Sequence, residues 1–184
     1  MAAGNAADDA VRVVHALAED IWSSRQQAEG RKRQLADAIK AKTSVGLLSR
    51  LVLGKHWRSL ERVDQDEYRA LFSQVVIGGL ASRLDLLLRE FEGPLDQHFS
   101  ITGSGATGKK DVLVRSKVVA TDGRALAVDW RLRATDAEPV IIDLIVEGVS
   151  LLVSQRSEFA SVIERSRMDG LMNSLRKRAQ SGDF

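Results

Sequence analysis

The sequence predicts an α+β fold: N-terminal helices, a four-stranded antiparallel sheet, then C-terminal helices. Two observations predict it. Apolar residues recur every three or four positions up to Gly93-Pro94, and again after Gly148. Between those points the period falls to two, with short turn signals separating the alternating runs. With 184 residues, the chain is read as one domain over 1–184: a mainly helical part at 1–93, the sheet at 94–150, and terminal helices at 151–184. A chain of this length buries roughly 70% of its unfolded surface and folds without staples.

Composition removes several functions. The absence of cysteine excludes disulfides, thiolate zinc sites and thiol catalysis. A net charge of +2 with mixed signs gives no electrostatic case for nucleic acid. No apolar run approaches the ~18 residues that would predict a membrane span. The opening MAAGNAADDA has neither a basic start nor an apolar core, so it reads as a mature N-terminus behind an initiator Met rather than as a signal peptide.

In chain order, Asp8 or Asp9 is placed to cap a first helix whose stripe is Val11, Val14, Ala18, Ile21 and Trp22. Gly30 interrupts it. The basic triplet Arg31-Lys32-Arg33 opens a second helix with Leu35, Ala38 and Ile39, and reads as a solvated face or as a contact for anionic headgroups. Ser44 caps a short helix that Gly54 stops. Trp57 follows as a core anchor.

Val63 to Tyr68 carries a start signal for a long helix: Asp64 as N-cap, Glu67 at the capping-box position, Val63 and Tyr68 as a staple. Gly78-Gly79 in its middle predicts a kink or a close approach. Strands are expected at 96–102, 110–120, 125–133 and 140–146, with Asp122-Gly123 as a hairpin turn. Leu126, Val128, Trp130 and Leu132 share one face of the third. Ser150 caps the next helix, a last helix starts near Asp169, and the basic, polar tail from Arg176 to Phe184 is expected to fray.

Two motifs imitate catalytic ones. Gly103 to Lys109 matches most of a phosphate-binding loop, but Lys110 stands where Ser or Thr must hold magnesium, and a strand pattern follows where a helix is needed. Gly148-Val149-Ser150 resembles a nucleophile elbow, but Leu152 replaces its second glycine. His15, His56 and His98 lie far apart, and His56 has no second His or carboxylate at metal spacing. Asp143 and Arg156 are placed either to pair and fix helix against sheet, or to leave Arg156 near a ligand headgroup.

Asp143 to Leu151 (DLIVEGVSL), followed by Gln155 to Phe159 (QRSEF), resembles the C-terminal signature of the MlaC, or toluene-tolerance, family. Leu53 to Arg58 (LGKHWR) is similar to that family's "LGxxWR" segment. The order of elements agrees over nearly the whole chain. Thr43-Ser44-Val45 stands where the family often has Phe-Asp, and Pro139 where it often has Trp. A hopanoid-associated branch shares the "QRSxF" tail.

The resemblance implies a cone-like fold, similar to cystatin and nuclear transport factor, with helices packed on a curved sheet. It implies a periplasmic carrier, its signal peptide removed, that binds a diacyl phospholipid and needs no cofactor or metal. The carrier shuttles lipid between an outer-membrane lipoprotein–porin complex and an inner-membrane ABC transporter, maintaining outer-membrane lipid asymmetry. Two tails of ~30 methylenes together would cost roughly 24 kcal/mol to expose. The tails must therefore be enclosed, in a cavity near or above the ~1,000 Å³ limit of ordinary pockets.

The expected lining comes from Leu48, Leu51, Val52 and Trp57 in the first half, with Phe72, Val76 and Leu80 on the long helix. The strands add Val114, Leu126, Val128, Trp130, Leu144 and Val146, and the following helix adds Leu152. Two other readings compete: a small enzyme using Asp129 or Asp143 as a carboxylate of raised pKa, and a helical adaptor binding proteins through Arg165, Arg167 and the basic tail. Inward faces that are almost wholly apolar favour the carrier.

Overall fold

Tyr68, Phe72, Val75, Ile77, Ala81 and Leu88 lie on the inner side of a continuous helical run from Arg62 to Leu88, and the helical core is built on them. In this computed structural model, which describes residues 2–27 and 29–182, the run has three parts: α4 (Arg62–Phe72), a π-helical turn (Ser73–Ile77) and α5 (Gly78–Leu88). Length and composition alone would let it cross a membrane. Its buried stripe accounts for that composition, because it packs on α2 (Arg31–Lys42), α3 (Val45–Leu53) and α6 (Leu151–Ser181). The irregularity falls just before Gly78-Gly79, as a π-turn, a form that recurs at functional sites.

The sheet is a meander in the order β1 (Phe99–Thr107), β2 (Asp111–Val119), β3 (Ala125–Arg133), β4 (Val140–Val146) and β5 (Val149–Ser150), all antiparallel. The expected four strands are present; the fifth is two residues long and formed by the Glu147-Gly148 turn, where φ is 49° and 78°. Positive φ at both central residues is the hairpin geometry that matches strand twist. β4 carries a bulge: Asp143 pairs with Arg131 but Ile141 with Leu132, leaving Ile142 extra. The bulge turns Ile141 and Ile142 inward together, both 5% exposed or less.

A second core joins α1 (Ala2–Ser23) to one face of the sheet, where Val13, Val14 and Leu17 meet Val112, Val114 and Leu132. The gap between the two cores lies along β4.

Several local expectations change. Asp8 and Asp9 do not cap α1, which already runs from Ala2; Asp9 pairs with Arg12 instead. Asp64 is inside α4, whose N-cap is Glu61. Gln65 bonds the carbonyls of Trp57 and Leu60 and draws the chain into the helix early. Val63 is then 78% exposed, so no staple forms, and Glu67 accepts two of the three guanidinium bonds of Arg176.

β1 extends to Thr107, so the glycine-rich stretch is strand up to that residue, and Gly108 and Lys109 open the turn to β2. The tail is helical to Ser181, and Gly182 closes it with φ 68°; residues 183–184 and the initiator Met1 lie outside the described residues. The two terminal helices are one run broken at Arg167 (φ 59°, ψ −174°).

Candidate functional site

Ser44 and Ser150 cap the two helices that frame the site. Ser44 Oγ accepts from the Leu47 amide at 3.3 Å, and Ser150 Oγ from Val153 at 3.0 Å. Ser150 in turn donates to Asp143 Oδ2 at 2.6 Å, while Asp143 Oδ1 accepts from the Leu152 amide at 2.9 Å. A carboxylate at a helix N-terminus meets unpaired amides and a favourable dipole. This pins the start of α6 to β4 and leaves Ser150 a cap rather than a nucleophile.

The expected Asp143–Arg156 pair does not form, because the Ser150 hydroxyl and the Leu152 amide already hold Asp143. Arg156 is exposed and lies across Gly54. His98 is buried between Trp22 and Phe91, with Nδ1 2.7 Å from the Val119 carbonyl and Nε2 2.5 Å from that of Glu92. Its surroundings are structural. Among the described residues no group of three His, Asp or Glu side chains is placed to hold a metal.

Between β4, α2, α3, the π-turn, α5 and α6 lies an open cleft of about 330 Å³. Its walls are apolar, and its polar lining is Thr43, Arg83, Asp143, Ser154, Gln155, Glu158 and Arg178. The structure brings together seven of the expected lining residues: Leu48, Val52, Phe72, Val76, Leu80, Leu144 and Leu152.

The other seven stand elsewhere. Trp57 packs in the helical core, its ring 6.2 Å from that of Tyr68. Val114 and Trp130 belong to the core under α1. Val128 is buried in β3, Leu126 is 43% exposed, and Leu51 and Val146 are half-buried beside the cleft without lining it. For Val114 and Trp130 the cause is α1, which packs on β1 and β2 and covers that part of the sheet's apolar face, leaving the opening along β4. The cleft also recruits Ile141 and Ile142, which only the bulge could reveal, Asp143, which the sequence already turns toward the next helix, and Arg83, a lone cation in an apolar helical stretch, which was legible.

The sequence model of the family described as MlaC protein matches residues 8–177. The chain belongs to the MlaC family. A phospholipid-binding protein from Ralstonia solanacearum, solved in complex with a phospholipid, shares the fold: TM-score 0.75 at 21% identity, over 96% of this chain and 97% of that one. In this MlaC protein, the two segments that carry the resemblance meet in space. Gly54 of LGKHWR touches Arg156 of QRSEF, and Phe159 packs edge-on against Tyr68 at 6.4 Å. The DLIVEGVSL segment forms the second half of β4, its turn and the capped start of α6, and gives the cleft Asp143, Leu144 and Leu151.

Proposed function

We propose that this protein is a phospholipid carrier of the periplasm, passing lipid between an outer-membrane lipoprotein–porin complex and an inner-membrane ABC transporter. Phospholipid is its ligand, and binding rather than catalysis its activity. The whole chain acts as one lipid-binding unit. The observation that carries this reading is an open apolar cleft, in the MlaC fold, between a sheet edge and helices. Membership of the family and the lipid bound by the Ralstonia protein support it.

In this reading the tails contact Leu48, Val52, Phe72, Val76, Leu80, Leu144 and Leu152. The cleft's 330 Å³ is well short of the volume two tails require, so loading parts its walls. The stretch of α6 beyond its pinned start is the wall suited to move, up to the break at Arg167, where φ is positive.

Native mass spectrometry of protein incubated with phosphatidylglycerol vesicles tests the proposal. A one-to-one complex with diacyl lipid is expected. A folded protein that takes up no lipid, and yields none when purified from bacteria, rejects it.

A further inference from the structure

Apolar walls admit any greasy chain, so discrimination between lipids falls to the polar groups of the cleft. Its two carboxylates are engaged: Asp143 by Ser150 and the Leu152 amide, Glu158 by Gln155 at 2.9 Å. Its two cations are less firmly held. Arg178 stands 3.9 Å from Glu158, the outer limit of an ion pair. Arg83 has no ion pair or side-chain hydrogen bond among the described residues.

The sequence explains why. A helical residue reaches neighbours three and four positions away. For Arg83 these are Gly79, Leu80, Leu86 and Leu87; for Arg178 they are Ser174, Leu175, Ser181 and Gly182. None is acidic. The acid nearest Arg83 in sequence, Asp85, is buried, with its two oxygens taken by Arg31 and Arg89. Two under-compensated guanidinium groups, Arg83 exposed and Arg178 half-buried, therefore line one apolar cleft from different elements, α5 and the end of α6.

We propose that Arg83 and Arg178 bind the phosphate of the lipid headgroup, so that the cleft selects phosphate-bearing lipids over neutral ones. This rests on the carrier reading. A guanidinium presents paired donors that fit a phosphate, and charge-assisted hydrogen bonds are about twice as strong as neutral ones. The tails fill the apolar part, and Glu158 competes with the phosphate for Arg178.

The test loads wild type and the Arg83→Gln/Arg178→Gln double variant from vesicles containing equal dioleoyl-phosphatidylglycerol and dioleoylglycerol. Native mass spectrometry reads the ratio bound. Wild type is expected to prefer the phospholipid by about tenfold or more. The double variant should lose that preference while still loading dioleoylglycerol, and Glu158→Gln should raise it by freeing Arg178.

An unchanged ratio in the folded double variant overturns the proposal and leaves the carrier reading standing. Wild type that loads neither lipid overturns both. Inorganic phosphate alone should neither bind nor displace lipid at millimolar concentration. If it does so through the same arginines, the pair is a free-anion site and the headgroup assignment fails.

Discussion

The guanidinium of Arg156 lies across Gly54 so closely that a Cβ at Gly54 would stand 3.0 Å from Nη2. Gly54 also has φ 59° and ψ −126°, a conformation that side chains resist. Two separate effects thus require glycine at the end of α3, and a double-mutant cycle tells them apart. Gly54→Ala is expected to destabilise by about 2 kcal/mol. Arg156 is flexible and exposed, so adding Arg156→Ala should restore only a few tenths of that. Urea denaturation measures both, and full recovery in the double variant would place the cause in the contact rather than the backbone.

Asp143 and Ser150 bond each other and the first amides of α6, so removing either exposes unpaired donors at a partly buried helix end. Ser150→Ala should cost about 1 kcal/mol, a usual cap loss. Asp143→Ala should cost more, because it orphans the Leu152 amide and the Ser150 hydroxyl together. Amide exchange should quicken first at residues 151–153. A uniform change over the whole protein would show that the cap does not act locally.

How much of this was readable in advance follows from what each signal encodes. β3 falls where alternation placed it, because Leu126 to Leu132 alternates without a break and Asp122-Gly123 marks the turn, and β4 where an apolar run of β-branched residues follows Pro139. The second half of β1 was hidden, since Gly103, Ser104 and Gly105 hold strand geometry through pairing with β2 and not through propensity. Periodicity put Val114, Val128 and Trp130 on the apolar face correctly. It could not say that α1 would cover part of that face and leave the opening at β4. The bulge at Ile142 has no sequence signature, so the turning of Ile141 and Ile142 into the cleft together was out of reach. The sequence does point Asp143 at the following helix, which it meets through Ser150 and Leu152 rather than Arg156. Asp64 misled because it satisfies a local capping pattern, while Gln65, bonded to Trp57 and Leu60, sets the true start.

Acid should weaken the fold through two buried carboxylates. The Arg31 hydrogen bond, backed by Arg89, holds Asp85 below its ordinary 3.8. Burial pushes Asp111 up, but bonds from Arg133 and Arg131 outweigh it and leave it below the same value. A carboxyl whose folded pKa is lowered contributes stability that is complete above the unfolded pKa and is lost as pH falls through the folded one. Asp85→Asn should therefore destabilise at pH 7 by about 2 kcal/mol, and its gap from wild type should narrow below about pH 4. A gap constant from pH 7 to pH 2 would mean that the charge of Asp85 is not what matters.

At the break in α6, adjacent substitutions should act in opposite directions. Arg167 holds a backbone conformation that is nearly glycine's alone, with φ 59°, which costs about 1–3 kcal/mol. Arg167→Gly should stabilise by about 1 kcal/mol once glycine's extra unfolded freedom is subtracted. Three residues on, a Cβ at Gly170 would come within 2.3 Å of Ser166 Cβ, so Gly170→Ala should destabilise by about 1–3 kcal/mol. Thermal melts of the two variants should move in opposite directions. If both fall, the break is not where strain is held.

Gly79 is where stability and lipid occupancy should part company. It is buried, it lines the cleft, and it sits in α5 directly after the π-turn. In a helix, replacing glycine by a better helix former gains up to about 1 kcal/mol, and a leucine here projects into space that a tail would use. Gly79→Leu should therefore remain folded with little loss of stability while its lipid occupancy falls several-fold. Gly78→Ala, one position round the helix and outside the lining, should gain the same propensity and keep its lipid. Occupancy by native mass spectrometry and melting temperature are read on the same samples. Folded Gly79→Leu with wild-type occupancy would mean that the tails do not lie against α5, and the lining residues of the π-turn and α5 would have to be given up with it.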